Sequence, residues 1–245
     1  MRLLIFHILF FFCLIFEQNI SAQTTWVKHP SPVLERSATF PDWKGLATGD
    51  PFVMLDNDTL KMWYAGVGWV SAFDDCPHVR IGYAWSIDGI NWNEYANNPV
   101  LNINPDTSMF DADGVETPTV IKDESAPPEQ RYKMWYAGQY FNNYRYDIGY
   151  AYSSDGINWI KHSVPVMNVG SASEWDSGFL EGPSVIKEDG QYKMWYCGYD
   201  IEVNGQPSDG KANIGYATST DGINWTKYEN NPILVTGNNT WDSIY

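Results

Sequence analysis

The chain has 245 residues, with 30 acidic and 15 basic side chains for a formal net charge of −15, and 16% of its residues are aromatic. So acidic a balance argues against nucleic acid and anionic membrane surfaces as partners, because both recruit cationic patches. The 3 cysteines are too few to staple a chain of this size, and no metal-ligand spacing of Cys and His is present.

In chain order, residues 1–22 come first: basic Arg2, an apolar stretch over 3–16 and a small-residue exit at Ser21-Ala22. This reads as a secretory signal peptide, since a spanning helix needs an apolar run of about 18 to 20 residues. A secreted or periplasmic protein is expected, with no membrane insertion after signal removal. Residues 23–245 then read as one repeat domain. Lys-Met-Trp-Tyr runs begin at Lys61, Lys133 and Lys193, Asp-Gly-Ile-Asn-Trp recurs at 88–92, 155–159 and 221–225, and prolines at 51, 118 and 183 lead each unit. The period is about 66 residues, with units at 43–101, 110–167 and 175–234.

Each unit holds four short segments rich in Val, Ile, Tyr and Trp, separated by Gly, Asp and Asn turns and lacking helical apolar spacing. In the third unit these strands are expected at 183–187, 192–198, 213–219 and 224–228. Four antiparallel strands per repeat make a propeller blade, and a solenoid is disfavoured because solenoid units are shorter, at about 20 to 45 residues. The fold expected is therefore all-β. The Ser-x-Asp-Gly-x-x-Trp stretches read as turns, with Trp anchoring the next strand. Trp26-Val27-Lys28 through Pro32-Val33-Leu34 matches the exit of the third unit, Trp225-Thr226-Lys227 through Pro232-Ile233-Leu234, so 23–34 is expected to be an outer strand that closes the ring. Trp241-Asp242-Ser243 repeats Trp175-Asp176-Ser177, so 241–245 is expected to start a truncated fourth blade. About three and a half blades of a longer protein are expected.

In a propeller the inner strands start near the central axis, and the loops between second and third strands open on the same face. Those loops, 67–80, 139–147 and 199–213, differ between units while the Asp-Gly turns do not, which suggests a binding face. Trp69, Tyr140, Tyr144 and Tyr199 lie in them, where aromatic faces can stack on sugar rings. Arg80 and Arg145 could pair with a site carboxylate or bond hydroxyls, and His78 is open in the same way. Loop packing is the plainer role for each aromatic residue, and a surface position the plainer one for each arginine. Cys197 stands where the sister units have Ala65 and Ala137 and reads as a small buried thiol, a disulfide to Cys76 being the alternative.

Before the leading prolines stand Gly49-Asp50-Pro51, Glu116-Thr117-Pro118 and Glu181-Gly182-Pro183. Acids beside proline can be ordinary turn residues. Three carboxylates crowded at one axis would instead repel one another, raising one pKa and leaving another ionised, which is the division of labour in glycoside hydrolysis.

These motifs resemble the five-bladed β-propeller glycosidases, closest to glycoside hydrolase family 43 and more distantly to the invertase-like family 32. Five blades at this period would take about 330 residues. The resemblance implies a carbohydrate substrate, Asp50 as general base and Glu181 as general acid. It also implies a second-blade carboxylate that orients the acid. The family has Asp where this chain has Thr117, so Glu116 takes that place, with Asp113 as substitute. Carboxylates about 6.5 to 9.5 Å apart would invert configuration and about 5 to 5.5 Å would retain it. No cofactor and no metal is expected, an ion such as calcium in the central channel being left open. Three other functions fit the scaffold: a non-catalytic carbohydrate-binding propeller, a structural or adhesive module, and a phosphorylase, which would need a cationic phosphate site.

Overall fold

The structure, a computed structural model, describes residues 26–71, 76–141, 145–200 and 212–237. The expected leader at 1–22 and the fourth-blade start at 241–245 lie outside the described residues. The chain divides into two units, Met1–Pro32 and Val33–Tyr245. In the first, residues 26–32 are irregular and Trp26 and Val27 are exposed. No strand forms over 26–34. The partner expected for a closing strand, the third strand of a last blade, is not among the described residues.

Among the described residues the second unit is all-β apart from one 3₁₀ turn, Pro128–Gln130. Its first four strands are β1 (Ala47–Asp56), β2 (Thr59–Gly68), β3 (His78–Ser86) and β4 (Asn93–Glu94). The next four are β5 (Gly114–Lys122), β6 (Tyr132–Gln139), β7 (Tyr146–Ser153) and β8 (Ile160–Lys161). The last four are β9 (Phe179–Glu188), β10 (Gln191–Tyr199), β11 (Asn213–Ser219) and β12 (Thr226–Lys227). Within each set all pairings are antiparallel. Successive sets meet through parallel contacts, Val79 with Gly114 and Tyr146 with Phe179. These are three blades in sequence, each beginning at its inner strand.

In the first and third blades a side chain continues the pairing beyond the short fourth strand. Asn98 accepts from Tyr83 N–H at 2.8 Å and donates to Tyr83 C=O at 3.0 Å, and Asn231 does the same at Tyr216. The Asp-Gly turns form as their sequence suggests. Asp88 Oδ1 accepts the N–H groups of Ile90 and Asn91, Ser86 Oγ accepts that of Gly89, and Asp155 and Asp221 repeat the pattern.

The second and third turns also receive the preceding blade. Trp63 Nε1 donates to Gly156 C=O and Trp135 Nε1 to Gly222 C=O, both at 2.8 Å, with both indoles fully buried. Gly156 and Gly222 have φ of +80°, and a Cβ on either would lie 2.9 Å from the indole. Only glycine meets both demands. A second inter-blade tie is Asp56, at the end of β1, which accepts from Lys61 of its own blade and from Lys122 and Tyr132 of the next. Asp123 accepts in the same way from Lys187 and Tyr192.

One pair is inverted between blades. Asp111 and Asp176 bond Lys161 and Lys227 at 2.6 Å, and each carboxylate also accepts from a buried tyrosine, Tyr136 or Tyr196. In the first blade Lys44 takes the aspartate place and Glu94 the lysine place, 2.7 Å apart, with Tyr64 donating to Glu94 at 2.8 Å. Lys44→Asp alone sets two carboxylates together and is expected to lower unfolding stability by about 2 kcal/mol. Adding Glu94→Lys recreates the arrangement of the other blades and is expected to recover most of the loss in urea denaturation.

Candidate active site

The ladder between the first and second strands breaks at one equivalent place in every blade: between Gly49 and Phe52, between Glu116 and Thr119, and between Glu181 and Ser184. Pro51, Pro118 and Pro183 sit in the breaks, and proline has no N–H to keep a ladder going. The residue before each has positive φ: 47° at Asp50, 47° at Thr117 and 55° at Gly182. Such bulges bend a strand and re-aim its side chains. Strands resume on the N-terminal side, so β9 begins at Phe179 and not at Pro183 as its sequence suggests; Leu180 and Phe179 pair with Gly198 and Tyr199. The acids thus lie inside strands.

They occupy two registers. Glu116 faces Ala137 across the ladder and Glu181 faces Cys197, at the place where the first blade has Gly49 opposite Ala65. Asp50 stands one residue later, at the position of Thr117 and Gly182. Asp50 and Thr117 hold a left-handed conformation uncommon for side-chain-bearing residues, worth about 1 kcal/mol or more of strain each. Thr117 Oγ1 accepts from Gly182 N–H at 3.2 Å, linking the second and third bulges. Cβ atoms added at Gly49 or Gly182 would meet nothing within 4 Å, so the space beside the acids is open.

The three carboxylates act on one another. Glu116 is pushed up to about 7 by burial first and then by the negative charges of Glu181 and Asp50, against a small opposing effect of the Tyr146 hydroxyl. Glu181 is raised by burial and by Asp50. Asp50 is exposed, yet the protein around it removes enough hydration to raise it too. Among the described residues no Lys, Arg or His forms an ion pair with any of the three. Tyr146 is the neighbour that sequence reasoning missed. It opens β7 beside the next blade, and burial followed by the charges of Glu116 and Glu181 raises its phenol well above the usual range. No hydrogen bond of ordinary length joins it to Glu116. Its ring packs edge-on against Phe179, which packs against Tyr199, giving an aromatic wall beside the acids.

Other expected site residues are engaged within the fold. Tyr140 donates to buried Asp147 at 2.8 Å, lies under Arg145 and is pushed up to about 12 by burial and that bond. Arg145 pairs with Asp147 at 2.9 Å. Arg80, expected at the surface, is instead buried and donates to Gly68 C=O. Trp69 packs edge-on against Phe40. Tyr144 lies outside the described residues. Asp113, the substitute for Glu116, turns instead to His78, 3.1 Å away. No disulfide joins Cys76 to Cys197. A mostly apolar pocket of about 170 Å³ opens at Gly49 and Pro51, but it is lined by Val33, Leu34 and Met62 and reaches neither Glu116 nor Glu181.

No protein-family model matches the chain. An uncharacterized protein of Mycobacterium tuberculosis is 32% identical over 170 residues, covering 67% of this chain and 52% of its own length. A 1,2-beta-oligomannan phosphorylase of Thermoanaerobacter is 34% identical over 87 residues, 36% of this chain and 27% of its own. The chain thus spans about half the length of the first relative, at 52%. A family 117 glycoside hydrolase of Zobellia galactanivorans matches in structure with a TM-score of 0.63 at 19% identity, over 78% of this chain and 57% of that one. The fold is an all-β propeller.

The Glu116 proton makes stability depend on pH. An unfolded glutamate titrates near 4.5 and the folded one near 7. The proton's contribution is fully present below pH 4.5 and is lost as pH rises through 7. Glu116→Gln is expected to stabilise the chain at pH 8 by up to about 3 kcal/mol and to change little at pH 4, read from melting temperatures at the two pH values.

Proposed function

We propose that this chain is the inner-site portion of an exported carbohydrate-active enzyme, a glycoside hydrolase with paired-carboxylate acid and base catalysis. The observation that carries the reading is the set of three mutually repelling carboxylates, without an ion-pair partner among the described residues, on the bulges of three successive inner strands. A turn built only for structure has no use for them. Kinship with families 43 and 32 is part of the proposal and rests on the Asp-Pro and Glu-Gly-Pro motifs. So does a five-bladed ring, which would cover the exposed Val53 and Leu55 of β1 and give Trp195 the glycine carbonyl that Trp63 and Trp135 already have.

In this mechanism Asp50, solvated at the mouth, is ionised and takes a proton from water. Glu116 and Glu181 share the proton that protonates the leaving oxygen, delivered by Glu181. With a pKa near 7, Glu116 keeps at neutral pH a proton that can pass to Glu181, which burial and the charge of Asp50 make more basic. Inversion of configuration follows if a water fits between Asp50 and the sugar. Tyr146, Phe179 and Tyr199 supply the apolar wall against which a sugar face can rest.

Phosphorolysis is the second reading, favoured by the Thermoanaerobacter relative named for that activity. Phosphate would then replace water as nucleophile, and Asp50 would not be needed as a base. β-1,2-linked mannosides are the first substrates to try for either reading. In the complete protein Glu181→Gln and Asp50→Asn are each expected to lower hydrolysis about a thousandfold with melting temperature preserved. Turnover that requires inorganic phosphate and survives Asp50→Asn would replace hydrolysis by phosphorolysis; undiminished turnover in Glu181→Gln would remove the acid.

A further inference from the structure

A second constellation lies beside this site, at the junction of the first two blades. Cys76 lies in the loop between β2 and β3, two residues before His78, the first residue of β3, and Asp113 immediately precedes β5. One donor atom from each lies within 4.8 Å of the others, and all three residues are half-buried. His78 Nδ1 faces Asp113 twice, at 3.1 Å from Oδ1 and 2.9 Å from the main-chain oxygen. Two acceptors on one nitrogen place the ring hydrogen there. The lone pair is then on Nε2, which faces Cys76 Sγ at 3.7 Å.

That separation is long for a hydrogen bond but suited to a shared ion. Zinc bonds of about 2.3 Å to sulfur and 2.0 to 2.1 Å to nitrogen, at a tetrahedral angle, set the two donors about 3.6 Å apart. A carboxylate holding the far nitrogen of a ligating imidazole is the usual support for such a site. The donors are soft, which selects zinc-like ions over calcium and magnesium. Cys76-x-His78 is too short a sequence motif to suggest this, because the third member arrives from another blade 35 residues on.

We propose that Cys76, His78 and Asp113 form a binding site for a soft transition metal of the zinc class, with Cys76 Sγ and His78 Nε2 as direct donors. Asp113 orients the imidazole through its far nitrogen, and solvent completes the coordination. Binding displaces the thiol proton to solvent as the metal–sulfur bond forms, so uptake is favoured as pH rises. The ion ties the β2–β3 loop to the strand that carries Glu116, three residues beyond Asp113, and so braces one wall of the carboxylate site. The inference does not depend on the reaction that site performs.

The full chain, stripped with a chelator, is titrated with zinc by calorimetry and with cobalt(II) by absorption. One metal per chain is expected, with a thiolate-to-cobalt charge-transfer band that Cys197→Ser keeps and Cys76→Ser abolishes. Asp113→Asn is expected to weaken zinc binding about ten- to hundredfold. Melting temperatures in chelator check that the variants fold. If Cys76→Ser does not fold, the band in wild type and Cys197→Ser decides. Absence of the band in wild type, zinc affinity unchanged in Cys76→Ser, or equal preference for calcium would each overturn the site.

Discussion

The propeller depends on the bond from a second-strand tryptophan to a glycine carbonyl in the next blade's turn. Trp63 and Trp135 reach Gly156 and Gly222 across the blade interface, and the left-handed glycine both presents its carbonyl and leaves room for the ring. The turn is held by its own Ser, Asp and Asn side chains, so local turn chemistry and inter-blade packing are properties of the same few residues. A blade therefore forms its docking surface as it folds. The lysine and tyrosine bonds to Asp56 and Asp123 close the interface on a different level of the blade, where each carboxylate is shielded from water and satisfied by several donors at once.

The same economy shapes the site. A leading proline forces a break in the innermost ladder, and the break turns two successive side chains where a regular strand would present one. Acids placed at either of those positions meet at the axis. Asp50 uses one position and Glu116 and Glu181 the other, which gives the three carboxylates different burial and hence different affinities for a proton. Three identical blades would supply three equivalent acids, whereas proton transfer needs unlike ones.

Departures from the repeat thus separate into two kinds. Some compensate one another: Lys44 with Glu94 reverses the Asp–Lys pair of the other blades and keeps the interaction. Others are uncompensated and lie on the inner strands or directly opposite them, as with Gly49 in place of Glu, Thr117 in place of Asp or Gly, and Cys197 of β10 in place of Ala opposite Glu181. The second kind marks where the scaffold has been specialised, because packing alone does not call for it.

The repeat, the all-β class, the turn chemistry and the identity of the three acids were legible in the amino-acid sequence, since each is written in contiguous residues with fixed spacing. The start of β9 was not, because Pro183 reads as a boundary until the ladder is seen to resume beyond it. Tyr146 and the Cys76, His78 and Asp113 cluster were also hidden, for they join side chains of different blades. Tyr140 and Arg145, legible only as loop residues, are both held by Asp147, whose burial no local pattern announces. Sequence by itself determined the unit and its count of strands; only the tertiary structure decided which unlike residues of neighbouring units face each other, because that depends on how one blade rotates onto the next.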